Sequence, residues 1–183
     1  MTESISVKLF DRAQRGSPDD AGELYARYHQ RIYRYLYFRT GDPKIAEDLT
    51  ADVFLKMVQS LDSIHPERTP LNAWLFQVAR NMVIDHYRRS AAHPLSSIDE
   101  NADGGDPGVD KQVDLRLTTD MLTGALGRIE ETQRDVLLLR FFEGLPIAET
   151  SRILQKSEDA VKGLQYRGLL ALRTLLPKME EDK

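Results

Sequence analysis

Apolar residues recur every three to four positions along almost the whole chain, which is the spacing of one face of an α-helix. In the first such run, residues 21–40, four large residues repeat at this spacing: Leu24, Tyr28, Ile32 and Leu36. A second run follows Asp42-Pro43, a pair typical of an N-cap with proline in the first turn, and predicts a helix to about Ser60. Alternating β-branched runs bounded by turn residues are missing. The pattern therefore predicts an all-α protein.

A third helix is predicted over "PLNAWLFQVARNMVIDHYRR", residues 70–89. One face is an apolar stripe: Leu71, Leu75, Val78, Ala79 and Met82. Another face carries the only tryptophan of the chain in line with amide and guanidinium side chains: Trp74, Gln77, Arg80, Asn81 and Arg88. Such a face is suited to stacking an unpaired base and hydrogen-bonding its edge. A lone helical tryptophan also fits a core position, so the pattern leaves both interpretations open.

The helical pattern stops between about residues 90 and 112, where Gly, Pro, Ser and Asp replace aliphatic residues. Five acidic residues precede one lysine in "SAAHPLSSIDENADGGDPGVDKQ". This composition is typical of a flexible acidic linker. The sequence therefore predicts two small helical domains: a first module at residues 5–90, a linker at 91–112 and a second module at 113–178.

The second module has the pattern of a helix-turn-helix, with a short helix, a tight turn at Gln155-Lys156-Ser157 and a longer helix. Ser157 is the expected N-cap of that longer helix. Its outward face combines cationic and hydrogen-bonding groups that include Lys162, Tyr166 and Arg167. Such a face is suited to phosphates and to base edges in the major groove. An ordinary solvated helical hairpin has the same pattern, so this alternative stays open.

The helix that follows Asp42 presents a different surface. Its apolar stripe leaves a leucine exposed among charged side chains: Asp48, Asp52, Leu55 and Lys56. An exposed leucine in this setting indicates a surface for docking another protein. A solvated face with one stray leucine is the other interpretation of these residues.

Composition and charge narrow the range of possible functions. The 183 residues have a formal net charge of −4, which disfavours coating nucleic acid by bulk electrostatics and restricts any nucleic-acid contact to local surfaces. Zero cysteines and four scattered histidines predict neither a disulfide nor a metal site. No stretch is apolar enough for a membrane span, and the N-terminus is too polar for a signal peptide. We therefore expect a cytoplasmic protein without a cofactor and, since no catalytic motif is present, without enzyme activity.

Three segments together resemble the bacterial RNA polymerase sigma factors of the extracytoplasmic-function (ECF) type. "AEDLTADVFLKM" is similar to the core-polymerase-binding helix of that family, and "NAWLFQVARNMVIDHYRR" to its promoter-melting and −10-reading helix. "TQRDVLLLRFFEGLPIAETSRIL" with "AVKGLQYRGLLALRTLL" is similar to its −35-reading module. The order of the segments and the intervening linker also agree, and the resemblance covers nearly the whole chain.

The resemblance implies a role for each predicted surface. The first module would bind the clamp helices of the largest subunit of core RNA polymerase through Asp48, Asp52, Leu55 and Lys56. Single-stranded DNA of the −10 element would be bound by eight residues: His65, Arg68, Trp74, Gln77, Arg80, Asn81, Arg88 and Arg89. Duplex DNA of the −35 element would be bound by Lys162, Tyr166 and Arg167. The linker would enter the RNA exit path of the polymerase, and an anti-sigma factor is a possible further partner.

The sequence departs from the family pattern at two points of the second module. The turn often carries glycine where this chain has Gln155, and the usual Ser-Arg pair of the recognition helix is Gly163-Leu164 here. Gly163 costs roughly 1 kcal/mol of helix propensity relative to alanine and removes a phosphate contact. The −35 contacts are therefore the least strongly supported by the resemblance.

Two other functions fit the sequence. The first is a stand-alone helix-turn-helix transcription regulator whose N-terminal domain is a sensor or a dimerisation unit. The second is an interaction protein that occupies the polymerase clamp without acting on DNA. For a sigma factor, we expect the linker to let the modules pack together in the free protein and hide both DNA-reading faces, so that promoter binding without polymerase is weak.

Overall fold

The computed structural model describes residues 2–65, 69–92 and 110–176, and within these ranges all regular structure is helical. The all-α prediction is thereby confirmed. There are eight α-helices in the described ranges: α1 Thr2–Gln14, α2 Pro18–Thr40, α3 Pro43–Gln59, α4 Leu71–Ala92, α5 Asp110–Gly127, α6 Glu131–Leu137, α7 Ile147–Leu154 and α8 Glu158–Leu175. A 3₁₀ turn, Leu61–Ser63, follows α3, and a π-turn, Leu138–Phe142, extends α6.

The first module is built from α1 to α4, and local capping sets its helix boundaries. Ser17 caps α2 and Asp42 caps α3 through their side-chain oxygens, and a proline follows each in the first turn. Gly41 ends α2 in the left-handed conformation, with φ of 70°, which glycine adopts without a Cβ clash. The four large residues predicted to repeat along α2 are all buried in the core: Leu24, Tyr28, Ile32 and Leu36.

Helix α1 was not expected from the sequence pattern. It packs on α2 through three buried residues, Leu9, Phe10 and Ala13. The Gln14 side chain at its end donates hydrogen bonds to the carbonyls of Leu61 and Ile64. These contacts tie the end of α1 to the 3₁₀ turn that follows α3.

The second module contains the predicted helix-turn-helix. Helix α7 ends at Leu154, and Gln155 occupies the left-handed region with φ of 53°, where the family often has glycine. The Ser157 hydroxyl then accepts a hydrogen bond from the backbone N–H of Ala160 and caps α8, as predicted. Helix α8 crosses α6 closely at Gly168, where an added Cβ would lie 3.2 Å from Cγ of Leu137.

The two modules pack against each other. Helix α2 contacts α5 and the π-turn, and α4 contacts α7. We refer to this packing as the closed arrangement. Of the predicted linker, residues 91–92 belong to α4 and residues 110–112 to α5, while residues 93–109 lie outside the described part of the chain.

Candidate nucleic-acid interface

The predicted docking surface on α3 is exposed to solvent. Asp48, Asp52 and Lys56 are exposed, and the side chain of Leu55 is 56% exposed although its neighbours Val53 and Phe54 are buried. The structure extends this surface with two residues that the sequence analysis did not include, Val58 and Tyr25, which are 53% and 44% exposed. Tyr25 of α2 meets α3 through an edge-on contact with Phe54 at 4.8 Å. The result is a leucine-centred patch with carboxylates beside it.

The tryptophan helix presents its predicted face only in part. Asn81 is exposed, whereas Trp74 and Gln77 are half-buried, and Trp74 packs on the hydrophobic core with one side. The core interpretation of Trp74 is therefore confirmed for the packed side of the ring, and base stacking by the other side stays a prediction. His65, in the loop before α4, is exposed, and Arg68 lies outside the described residues.

At the C-terminal end of α4, Arg88 and Arg89 are exposed and both interact with Asp85. An Nη2 of Arg88 lies 3.0 Å from the Asp85 carboxylate, and Nε of Arg89 donates to the Asp85 carbonyl at 3.3 Å. Exposed ion pairs of this kind contribute at most about 1 kcal/mol, so a DNA phosphate can replace the carboxylate. Both guanidiniums are thus exposed and only weakly held by Asp85.

Arg80 of the same helix is bound by the second module. Its Nε donates a 2.8 Å hydrogen bond to Oδ2 of Asp135 in α6, and the Asp135 side chain is completely buried. The prediction placed Arg80 on the DNA-reading face with Asn81. In the closed arrangement this guanidinium points into the contact between the modules, because a helical turn of 100° per residue separates the two side chains.

Asp135 is the centre of a buried network contributed by both modules. Its Oδ1 accepts a 2.8 Å hydrogen bond from the Tyr35 hydroxyl and lies 3.1 Å from Nε of Arg39. Arg39 also donates from Nη2 to Glu131 at 2.5 Å. The network therefore joins α2 and α4 of the first module to α6 of the second.

Burial shifts the proton affinities of these groups. It raises the pKa of the Asp135 carboxyl, an effect that the charges of Arg39 and Arg80 oppose. It also raises the pKa of the Tyr35 phenol well above the ordinary value, with the nearby Asp135 charge adding to the shift. For Arg39, burial lowers the pKa, but Asp135, Tyr35 and Glu131 together outweigh burial and leave the pKa raised. Tyr35 is therefore a neutral donor and Arg39 a cation over the physiological range.

Two more carboxylates of the second module bind the first. Glu143, whose side chain is fully buried, accepts from Nε of Arg31 at 3.0 Å and from Nη2 of Arg34 at 2.7 Å. Glu149 in α7 accepts from the Asn72 amide at 2.8 Å. None of the three carboxylates, Asp135, Glu143 and Glu149, was predicted to have a role. The only signal in the sequence was an aspartate beside the long apolar run of "RDVLLLRFF".

The predicted face of α8 is open to solvent in the closed arrangement. Lys162, Tyr166 and Arg167 are all exposed, and the Tyr166 side chain reaches 66%. Lys162 forms an ion pair at 3.0 Å with Asp159 of the same helix, and this hydrogen bond raises the Lys162 pKa. The expectation that both DNA-reading faces are hidden is therefore wrong for α8, because the first module contacts α5, the π-turn and α7 and leaves these three side chains exposed.

The described residues offer neither a metal site nor a membrane-spanning helix. Among residues 2–65, 69–92 and 110–176, no cluster of three or more histidine, aspartate or glutamate side chains could hold a metal ion. In the same ranges, no helix combines the length and the apolar character that crossing a membrane requires.

Comparison with known proteins matches both modules to one kind of transcription factor. Residues 24–93 match Sigma-70 region 2, and residues 119–172 match Sigma-70, region 4. The chain is 36% identical over 173 residues to the ECF RNA polymerase sigma factor BldN of Streptomyces coelicolor, covering 93% of this chain and 66% of that relative. It is 30% identical over 165 residues to the ECF RNA polymerase sigma factor SigX of Bacillus subtilis, covering 87% of this chain and 84% of the relative.

Two solved structures share the fold. CnrH, in complex with the cytosolic domain of CnrY, superposes with a TM-score of 0.73 at 24% identity over 91% of this chain and 94% of CnrH. The sigma factor RpoE from Bartonella quintana, in complex with the anti-sigma factor NepR, superposes with a TM-score of 0.68 at 20% identity over 90% of this chain and 99% of RpoE.

Proposed function

Because this chain belongs to the ECF-type RNA polymerase sigma factors, we propose that its three exposed surfaces divide the work of promoter recognition. The α3 surface binds core polymerase, the α4 face captures the melted −10 strand and the α8 face reads the −35 duplex. The protein acts in the cytoplasm with the polymerase and has no catalytic activity of its own. The first observation in support is that all three surfaces are present in the modules that match Sigma-70 regions 2 and 4.

The polymerase-binding surface is centred on Leu55. A leucine that is 56% exposed gains free energy when another protein covers it, roughly in proportion to the apolar area removed from water. The carboxylates of Asp48 and Asp52 and the ammonium of Lys56 surround it and orient the partner. We assign the clamp helices of the largest polymerase subunit as this partner, as the family resemblance implies.

The α4 face binds single-stranded DNA of the −10 element. Asn81 offers an amide to a base edge, the exposed side of Trp74 offers a stacking surface, and Arg88 and Arg89 neutralise phosphates. A pocket for an extruded base is completed by His65, Arg68 and Gln77. Arg80 also binds the strand once its hydrogen bond to Asp135 is broken.

The free energy needed to open the duplex exceeds what this chain can supply alone, so polymerase must take part in melting. Opening a duplex costs on average about 1.4 kcal/mol per base-pair step, so four or five steps need roughly 6–7 kcal/mol. Two captured bases return only about 2–6 kcal/mol by stacking. Polymerase binding therefore supplies the remainder and places the unpaired strand against α4.

The α8 face reads the −35 element in the major groove. Helix α8 starts at a capped N-terminus after a tight turn, which is the geometry of a recognition helix, and Lys162, Tyr166 and Arg167 lie on its exposed side. The linker tethers the two DNA-reading modules, so binding at one element raises the effective concentration of the other. An anti-sigma factor is a further proposed partner, since the solved relative RpoE was crystallised with one.

Transcription with core polymerase tests this function. The purified chain and core RNA polymerase are incubated with a pool of genomic DNA fragments, and the 5′ ends of the transcripts are sequenced. We expect start sites that share two upstream motifs at a fixed spacing and that disappear when the chain is omitted. If the chain binds a duplex motif without polymerase and adds no start sites, the stand-alone regulator is the correct function and this proposal is wrong.

A further inference from the structure

A cavity of about 440 Å³ lies where the two modules meet. Its walls come from the C-terminal ends of α2 and α5, the C-terminal half of α4 and the helix α6. Sites for small organic molecules have volumes of about 300–1,000 Å³, so this cavity is large enough to hold one. None of the residues to which the proposed function assigns a role lines it. The cavity is therefore separate from the three proposed surfaces.

Arg134 of α6 lines this cavity and forms no ion pair with any residue of the described chain. Its Nη1 donates a hydrogen bond of 3.2 Å to the carbonyl oxygen of Arg39, and this is its only hydrogen bond within the same ranges. Its Nε is buried without a partner. Because a guanidinium has five N–H donors, donors on Arg134 remain for a ligand.

The acids nearest to Arg134 are already paired with other cations. Glu131, which also lines the cavity, accepts from Nη2 of Arg39 at 2.5 Å. Asp135 accepts from Arg80 at 2.8 Å and lies 3.1 Å from Nε of Arg39. Three guanidiniums thus share two carboxylates, and this group of side chains carries one positive charge in excess.

The proton affinity of Arg134 reflects this imbalance. Burial lowers the pKa of the Arg134 guanidinium, and the charge of Arg39 lowers it further, against smaller opposing effects of Asp135, Tyr87 and Glu131. The pKa of Arg39 is raised instead, because its acidic partners are close. An anion placed beside Arg134 would favour the charged guanidinium in the same way.

We propose that this cavity binds a small phosphate ester of the size of a mononucleotide, with its phosphate paired to Arg134. A guanidinium presents parallel N–H groups that match two phosphate oxygens. Inorganic phosphate alone would leave most of the volume empty, since even a water molecule takes only about 30 Å³. Phe38 and Tyr87 line the remaining space and offer aromatic surface to a planar base. The Tyr87 hydroxyl donates to the Arg39 carbonyl at 3.1 Å, which fixes this ring at the wall.

Isothermal titration calorimetry of the full chain tests the site. The probes are the nucleoside 5′-monophosphates AMP, GMP, CMP and UMP, their nucleosides and inorganic phosphate, all at one ionic strength. At least one monophosphate should bind with one molecule per chain, and its nucleoside and inorganic phosphate should each bind about tenfold more weakly or less. Arg134→Gln should weaken the monophosphate by about tenfold or more, because a charge-assisted hydrogen bond is lost.

Two further measurements distinguish a binding role of Arg134 from a structural one. Without ligand, Arg134→Gln should not lower the free energy of unfolding, because the substitution removes a charge that no acid pairs. In NMR spectra of the arginine Nε–H groups, the signal that is missing from Arg134→Lys is that of Arg134. This signal should shift on addition of the monophosphate. Arg152→Gln is the matched control, because it removes an exposed guanidinium of the same module from α7 and should leave the affinity unchanged.

The outcomes bear on this site and leave the proposed function to its own assay. If none of the four monophosphates binds, or if the wild type and Arg134→Gln bind them equally, the proposed site is wrong. Inorganic phosphate that binds as tightly as the esters would overturn the role of the organic part. Nucleosides that bind as tightly as the esters would overturn the role of the phosphate. None of these results changes which start sites the chain gives with core polymerase in the absence of ligand.

Discussion

Arg80 in α4 and Asp135 in α6 form a hydrogen-bonded ion pair of 2.8 Å that joins the two modules. One partner is a predicted DNA-reading residue and the other is a fully buried acid. The pair therefore holds the Arg80 side chain in the contact between the two modules. Other surfaces of the chain are independent of this contact and can be tested separately.

The first prediction concerns the α3 surface. Leu55→Glu places a charge at the centre of the apolar patch, so we expect the variant to lose co-elution with core RNA polymerase on a sizing column. Its stability should stay within about 0.5 kcal/mol of the wild type because the site is exposed. Arg15→Gln is the control, since it changes net charge equally at an exposed turn of the same module. Retained co-elution by Leu55→Glu would place the docking surface elsewhere.

The second prediction concerns Asn81. Its amide reads a base edge in the proposal, a contact worth about 1–3 kcal/mol, so Asn81→Ala should slow open-complex formation about tenfold or more. Permanganate reactivity of unpaired thymines measures the rate, and polymerase affinity should stay unchanged. Gln30→Ala removes an exposed amide from α2 as the control. An equal loss of polymerase binding and melting would show that Asn81 has no separate role in strand capture.

A third prediction tests the −35 face. Arg167→Ala removes one phosphate or base contact from α8 and should lower the affinity of the holoenzyme for promoter DNA. The slope of log affinity against log salt concentration should fall by about one. Arg128→Ala removes an exposed guanidinium between α5 and α6 and should leave that slope unchanged. An unaltered slope for Arg167→Ala would exclude it from the DNA contacts.

Two glycines of α8 give a matched pair for stability. A Cβ at Gly163 meets nothing within 4 Å, so Gly163→Ala should raise the free energy of unfolding by about 1 kcal/mol through helix propensity. At Gly168 the same Cβ would lie 3.2 Å from two atoms of the buried Leu137 side chain, so the gain is offset by overlap. In urea denaturation, the free energy of unfolding should be higher for Gly163→Ala than for the wild type. It should be lower for Gly168→Ala than for Gly163→Ala. The reverse order would mean that α6 and α8 do not cross at Gly168.

The fifth prediction uses the cap of α6. Burial alone would raise the pKa of Glu130, but hydrogen bonds from the backbone N–H groups of Thr132 and Gln133 outweigh it and lower the pKa. A carboxyl whose pKa is lower in the folded than in the unfolded protein stabilises the fold at pH values above its unfolded pKa of about 4.3. This stabilisation disappears as the pH falls through the pKa of the folded state. Glu130→Ala should therefore cost about 0.5–2 kcal/mol near pH 7.

The same cap predicts a pH trend. The difference in unfolding free energy between wild type and Glu130→Ala should narrow as pH falls from about 5 to about 3, as the carboxylate of the wild type is protonated. Glu130→Gln keeps an acceptor oxygen without a titratable group. Its unfolding free energy at pH 7 should therefore lie between those of the wild type and Glu130→Ala, and it should depend less on pH. A gap that is constant with pH would mean that Glu130 does not cap α6 as a carboxylate.

Much of the fold could be predicted from the sequence because its signals are local. Asp42-Pro43 and Ser157 cap α3 and α8 through side-chain oxygens within three residues, and helical spacing identified the buried stripe of α2. The family and the sigma function, inferred from three motifs, are confirmed by matches to both modules. The roles of the individual site residues stay predictions.

The relation between the modules could not be predicted in the same way. Arg80 and Asp135 are separated by a linker whose composition constrains no distance between its ends, so no local pattern indicates that they meet. Asp135 was given no role from the sequence, although its side chain is fully buried and contacts Tyr35, Arg39 and Arg80. Gln155 in a left-handed conformation was likewise unexpected, because the side chain makes that backbone less favourable than it is for glycine.

The order of Arg80 and Asp135 along the chain has a consequence during synthesis. The ribosome completes α4 before it reaches α6, and at roughly 5–20 residues per second the interval lasts seconds. During that time a folded first module displays Arg31, Arg34 and Arg80 without their carboxylate partners. We therefore expect the nascent chain to bind nucleic acid more readily than the finished protein, in which Asp135 and Glu143 pair with these guanidiniums.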